Sequence, residues 1–485
     1  MSRRKTATQQ VKRRGVIIVA AFMGMLCATT LHGATSYVCD CGLGAELNCL
    51  VGNDAASGGS PLTPWRSFAK ARSTFSQMAP GDTVAFCKGG SFAADGGVWV
   101  NNRCRANMPC TVTSYVPLWS DGGEGNPLIM TPANKTAFSF GDSGNADHEE
   151  GYRFSHLDVR GIGSGLGFFF FNDIDDVVLD SLSTSGFDIG VYIAGSNPAN
   201  PGSDGFNQRI TVKNSRITDN NQYGLLGSCS DCRIVNNIFD NNGFKGGGGY
   251  HNLYWDGSSK STGSVISGNT LSRSGVSGGK CGSVSLVVHG VHTDLTIENN
   301  TVKEEVGGAS EGCWGIAADT GYGTAEAFSR LVIRANTILN VGNVGIGVNA
   351  CSDCLVEGNT IVQGQPFSSY GIMIPDRVRG LEDIILDRVT VRNNSVTMTN
   401  VAINTGILLG GEGAGHSASG NTVVYSGTAR AWYCFSYPLD KSSYTAIDNN
   451  ICAFSNTSNG LWEKTVGSLA NWQTLSGFDL HSSRQ

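Results

Sequence analysis

LTIENNTV (295–302), LVIRANTI (331–338), CLVEGNTI (354–361) and VTVRNNSV (389–396) are one phrase written four times. Each is a short β-branched run of alternating polarity, then an asparagine, then a second short run. Looser copies are ITVKNSRI, RIVNNIF, VISGNTL, SASGNTVV and AIDNNIC. The asparagines fall at 214, 237, 269, 300, 336, 359, 394, 421 and 450, spaced by 23 to 36 residues. Asparagine tolerates the left-handed backbone region, so it can bend the chain sharply between two strands. Stacked in one corner, its amides can also hydrogen-bond along a column.

Between the asparagines lies a second phrase: GVYI (190–193), GLLG (224–227), NLYW (252–255), SLVV (285–288), GIAA (315–318), GIGV (345–348), GIMI (371–374) and GILL (406–409). Each unit therefore has three short strands, with its variable length in loops. One such unit cannot bury its apolar side alone, and stacking many buries a continuous interior. A β-sandwich of hairpins would not require the recurring asparagine phrase.

The repeat resembles that of the right-handed parallel β-helix superfamily of pectate-lyase-like proteins, over roughly residues 150–455. The stretch 52–92 resembles the N-terminal lead-in of that group, with PWRSFAKA as a capping helix and PGDTV as the turn into the first coil. The resemblance implies an all-β fold of about ten or more coils. It divides the chain into a signal peptide (1–34), an N-terminal cap and first coil (35–100), the β-helix (101–460) and a C-terminal cap or tail (461–485). The superfamily holds lyases, hydrolases, esterases, epimerases and non-catalytic proteins, so the fold does not name the reaction.

The N-terminal segment reads as a secretory leader. Arg3, Arg4, Lys5, Lys12, Arg13 and Arg14 precede the apolar run VIIVAAFMGMLCA, with cleavage expected near Ala34. The expected location is secreted or periplasmic, with no membrane contact after the leader is removed. Without the leader the chain carries 28 basic against 40 acidic residues, a net −12. That balance argues against nucleic acid, which calls for a basic stripe. It suits a protein that binds calcium or handles neutral sugars. The expected partner is a polysaccharide, the expected cofactor, if any, is calcium, and the expected state is a monomer. The 14 remaining cysteines favour disulfides in an exported chain. The two CSDC stretches, 229–232 and 351–354, lie four coils apart and cannot share one zinc ion. Cys281 and Cys313, in adjacent loops, are placed to bridge.

Strand alternation gives the columns. Val191, Leu225, Leu253, Leu286, Ile316, Ile346, Ile372 and Ile407 must point inward. The outward column just past them reads Ala194, Ser228, Asp256, His289, Asp319, Asn349, Pro375 and Gly410, polar only at its centre. Its companion column places Tyr254 beside Asp256. His251 falls in a mostly apolar column, which suggests an inward or corner position. The flanking loops carry Lys245, Arg273 and Lys280 on one side, and Lys260, His292, Tyr322 and Glu326 on the other.

Two chemistries use these residues. A polysaccharide lyase would take His289 as base and Tyr254 as acid. Lys245, Arg273 and Lys280 would then neutralise a uronate, or calcium on Asp256 and Asp319 would do so. An inverting glycoside hydrolase would use Asp256 and Asp319, two coils apart. In either case Asn349, His251, His292 and Tyr322 are expected to contact substrate. The lyase is the leading expectation and the hydrolase its alternative. A non-catalytic carbohydrate-binding helix is the third. An outward His289 is expected to be removable at little cost in stability.

Overall fold

The computed structural model describes residues 33–141, 150–171, 173–194, 206–245, 249–319, 325–376, 383–400, 402–427, 432–438, 441–455 and 460–485. The leader expected at 1–34 lies almost wholly outside them. Short strands cycle among three sheets of 14, 14 and 15 strands, called first, second and third here in their order along a coil. The first and second are the 14-stranded sheets, and the third contains GVYI and its equivalents. Every strand pairing is parallel and joins one coil to the next. The fold is a right-handed parallel β-helix. It runs past the expected boundary at 460: Gly460–Glu463 continues the third sheet, and Ser483–Arg484 pairs with Ile451–Phe454.

The asparagine column forms at the corner between first and second sheets. Asn237, Asn269, Asn300, Asn336, Asn359, Asn394, Asn421 and Asn450 are buried. Each Nδ2 donates to the next Oδ1 at 2.9–3.1 Å. The same oxygen also accepts the backbone N–H of the donating asparagine, so these polar atoms are paired inside the apolar stack. Two details differ from the sequence reading. The left-handed residue is the one before the ladder asparagine: Asn236 (φ 57°), Asn299 (φ 55°), Ala335 (φ 52°) and Asn393 (φ 56°), with Gly268 and Gly358 in other coils. Ser215, not Asn214, holds the ladder place in its coil, and Asn214 reaches out to Asp180.

The glycine that opens most third-sheet strands has a steric cause. A Cβ at Gly345 would lie 2.6 Å from the Gly371 carbonyl and 2.9 Å from Ile361. Asn252 is an exception at this position, and its amide is absorbed by Asn242 and the Ser272 carbonyl. Inside, Val191, Leu225, Leu253, Leu286, Ile316, Ile346, Ile372 and Ile407 are 0–1% exposed, as alternation demands.

Helix α1 (Phe68–Phe75), N-capped by Ser67, turns Phe68, Ala71 and Phe75 into this core against Trp99 and Tyr152. Near the other end, helix α2 (Leu469–Ser476) buries Trp472, whose Nε1 donates to Asp479. Asp479 accepts the last ladder amide from Asn450. Seven disulfides pair all 14 cysteines of residues 33–485, the Cys229–Cys232, Cys351–Cys354 and Cys281–Cys313 bridges among them. That many bridges fits an extracellular compartment. Among the described residues no helix is long and apolar enough to cross a membrane.

Candidate active site

The polar column stands where alternation puts it. Leu253–Thr262 pairs with Leu286–Thr293 so that Tyr254 faces Val287 and Asp256 faces His289. Ile316–Ala318 and Val344–Val348 continue in register, and the next residues, Asp319 and Asn349, donate backbone N–H groups to Val288 and Ala318. Asp256, His289, Asp319 and Asn349 thus occupy four successive rungs about 4.8 Å apart.

Their surroundings were not foreseen. His289 faces outward yet is only 5% exposed. Its Nδ1 donates to Glu326 Oε1 at 3.0 Å, and Glu326, 1% exposed, also accepts the Gly290 N–H. The Glu326 N–H in turn donates to Asp383 at 2.9 Å. This arrangement fixes the imidazole ring as a packed, oriented group. Sequence reading left Glu326 as a loop residue. The signal was the short strand after it: Ala327–Ser329 extends the third sheet beside Val291–Thr293, which brings Glu326 level with Gly290.

Aromatic rings wall the column. Tyr254 lies 5.4 Å from His289 and 5.5 Å from His251 between ring centroids, and Tyr223 lies 5.7 Å from Tyr254. His251 is therefore part of the outer cluster rather than an inward residue, although it is only 3% exposed. Its Nδ1 donates to the Val284 carbonyl, while its buried Nε2 has no hydrogen-bond partner among the described residues. Burial, with the nearby His289 adding to it, holds its pKa down at about 4, so it is neutral at pH 7.

Several expected contacts do not gather here. His292 points into the core, 1% exposed and stacked on Phe328, and burial likewise lowers its pKa to about 4. Its Nε2 donates to the His289 carbonyl at 2.8 Å, so it supports the column from inside instead of touching substrate. Arg273 is tied to Asp240 through two nitrogens at the corner between second and third sheets. Lys245 reaches back to Asp188 (3.6 Å) and to the Gly163 carbonyl (3.1 Å). Lys280 is exposed beside the Cys281–Cys313 disulfide. Tyr322 lies outside the described residues, as does the Lys260 side chain. Asn349 is 1% exposed, and its Nδ2 has no hydrogen-bond partner among the described residues.

Among the described residues, Cys281, Glu304 and Cys313 are the one group of three His, Cys, Asp or Glu side chains whose ligand atoms lie within 4.8 Å of one another, and both sulfurs are in a disulfide.

No known family model matches the chain. A lacto-N-biosidase of Bifidobacterium longum is 24% identical over 173 residues, which is 36% of this chain and 10% of that protein. Among solved structures, a GH87 α-1,3-glucanase catalytic domain in complex with tetrasaccharides superposes with a TM-score of 0.51 at 14% identity. That match covers 82% of this chain and 67% of the other. A GH136 lacto-N-biosidase from Eubacterium ramulus (12% identity, 93% and 67% covered, TM-score 0.37) and an alginate lyase from Paenibacillus (13%, 75% and 97%, TM-score 0.36) also align. The likeness is one of fold.

Proposed function

We propose that the protein is a carbohydrate-active enzyme, a glycoside hydrolase that cleaves a glycan in the groove over the third sheet. The observation that carries this reading is the charge pattern of the column. Asp256 and Asp319 flank the His289–Glu326 pair, while Arg273 and Lys245 are ion-paired to Asp240 and Asp188. A sheet face with these carboxylates and without those cations suits a neutral sugar better than a uronate. The names of the similar proteins, α-1,3-glucanase and lacto-N-biosidase, support a glycan substrate.

Two rungs put roughly 9–10 Å between the Asp256 and Asp319 strand positions. Inverting hydrolases hold their carboxyls about 6.5–9.5 Å apart, which leaves room for a water. One carboxyl protonates the leaving oxygen, and the other takes a proton from the water attacking the opposite face of the sugar. The buried imidazole between them, held by Glu326, keeps their spacing fixed.

Elimination remains the second reading, favoured by one observation: an oriented imidazole beside the Tyr254 phenol is a base and an acid in contact. Incubation with neutral and uronate-containing polysaccharides separates the two. New reducing ends without ultraviolet-absorbing unsaturation are expected. Unsaturated ends from a uronate polymer would replace the hydrolase with a lyase.

A further inference from the structure

The companion column that contains Tyr254 changes character along the helix. Toward the N-terminal end it reads Tyr254, Leu226, Tyr192 and Phe169, each in register with the next. Toward the C-terminal end it reads Val287, Ala317 and Gly347. The N-terminal side therefore carries half-exposed rings, whereas the C-terminal side carries small residues and then the aliphatic Met373 and Leu408. Phe169 and Tyr192 lie 5.4 Å apart between ring centroids, and Phe171, 44% exposed, extends the patch at 5.8 Å from Phe169. None of these rings is needed in the core, which lies on the opposite face of the same strands.

One edge of this stretch is built up. Lys245 reaches back two coils to Asp188 and three to the Gly163 carbonyl, and Asn221 donates to Asp188 at 3.1 Å. These contacts tie four successive turns into a wall of polar groups along the edge where the third-sheet strands begin. The rungs are about 4.8 Å apart, close to the length of one pyranose residue, so Tyr254 to Phe169 spans roughly 14 Å.

We propose that Phe169, Tyr192, Leu226 and Tyr254 form a stacking track that binds about three consecutive neutral pyranose residues of a glycan running along the helix axis. The flat rings take the C–H faces of the sugars, and the wall of Asp188, Asn221 and Lys245 takes their hydroxyl edges. With no cation in the column, with Lys245 of the wall ion-paired to Asp188, and with Asp256 beside the rings, the track selects against uronates. Because the rings lie only on that side and the C-terminal continuation through Met373 and Leu408 is aliphatic, the stacked part of the substrate lies toward the N-terminal end. The proposal deepens the hydrolase reading and rests on the same groove.

Affinity electrophoresis tests it without requiring turnover. The purified protein is run through gels containing xyloglucan, galactan, α- and β-glucans, polygalacturonate or alginate. Retardation by a neutral glycan is expected, with Tyr192→Ala weakening it about tenfold, since one lost ring contact accounts for about that much. Tyr192→Leu keeps the apolar volume and should lose most of the same affinity, which guards against a variant that merely misfolds. Phe169→Ala should weaken binding of long oligosaccharides more than of short ones. Retardation by the uronate polymers alone, by none of the glycans, or to the same extent in all variants would overturn the track. A neutral glycan that binds through Tyr192 but is never cleaved supports the track and refutes the hydrolase.

Discussion

Two columns run along this helix, and they are held in opposite ways. The asparagine column is inside, and each member is bonded to a copy of itself on the next rung. The polar column on the third sheet is outside, its members differ from rung to rung, and His289 draws its partner Glu326 from a loop 37 residues away. Repetition marks the positions that hold coils together, because any coil can satisfy the next one. A rung without a copy has to be stabilised from elsewhere, and that is where chemistry can be placed.

Substitution should separate the two kinds of column most sharply through activity. Asp256→Asn and Asp319→Asn are each expected to lower kcat by about 10²–10⁴-fold with little change in melting temperature. Measured on a glycan identified in the polysaccharide panel, full activity in both variants would move the reaction away from this column. Asn336→Ala should do the reverse. It removes two donated and two accepted hydrogen bonds from a buried site, a loss of about 3 kcal/mol of stability, and leaves the turnover of folded protein intact. Denaturant unfolding checks this, and an unchanged midpoint would mean that the ladder does not hold the coils.

His289 belongs partly to both classes. Because it is buried against Glu326, His289→Ala should cost about 2–3 kcal/mol as well as activity, contrary to what an exposed residue would show. His289→Ala combined with Glu326→Gln should recover part of the stability, since no charged carboxylate is then stranded. If the single substitution is neutral in unfolding experiments, the pair is not buried in solution.

The smallest expected effect concerns Glu304, near the Cys281–Cys313 bridge. Burial raises its pKa from 4.5 to about 7 despite the hydrogen bond from the Arg273 N–H. Between those values the folded chain binds more protons than the unfolded one. Its contribution is therefore complete below about pH 4.5 and is lost as the pH rises through about 7. His251 and His292, held near 4, act in the opposite direction, so the difference between wild type and Glu304→Gln is the quantity to read. The wild type should lose on the order of 1–2 °C relative to the variant between pH 5 and 8. Parallel curves would place the Glu304 carboxyl in water.

The fold was legible because its signals repeat. The inward aliphatic column and the rung pairing of Asp256 with His289 follow from alternation alone. What escaped was whatever a single coil cannot specify. The left-handed bend sits one residue before the ladder asparagine because the amide must point inward to bond, which a period of about thirty residues does not reveal. His292 was read as a loop residue, but its strand continues to Thr293 and turns the ring into the core. Arg273 and Lys245 were read as cleft cations, and each instead found a carboxylate on a neighbouring coil, Asp240 and Asp188. Glu326 was hidden because the one local signal, the three-residue strand Ala327–Ser329 after it, is too short to show which rung it returns to.

Inverting hydrolysis requires Asp256 and Asp319 to act as a pair across a water. The most direct measurement is the anomeric configuration of the first product released from a cleaved oligosaccharide, followed by proton NMR before mutarotation. Inversion at the cleaved bond is the predicted result. Retention of configuration, or an unsaturated non-reducing end in place of a hydrated one, would contradict it.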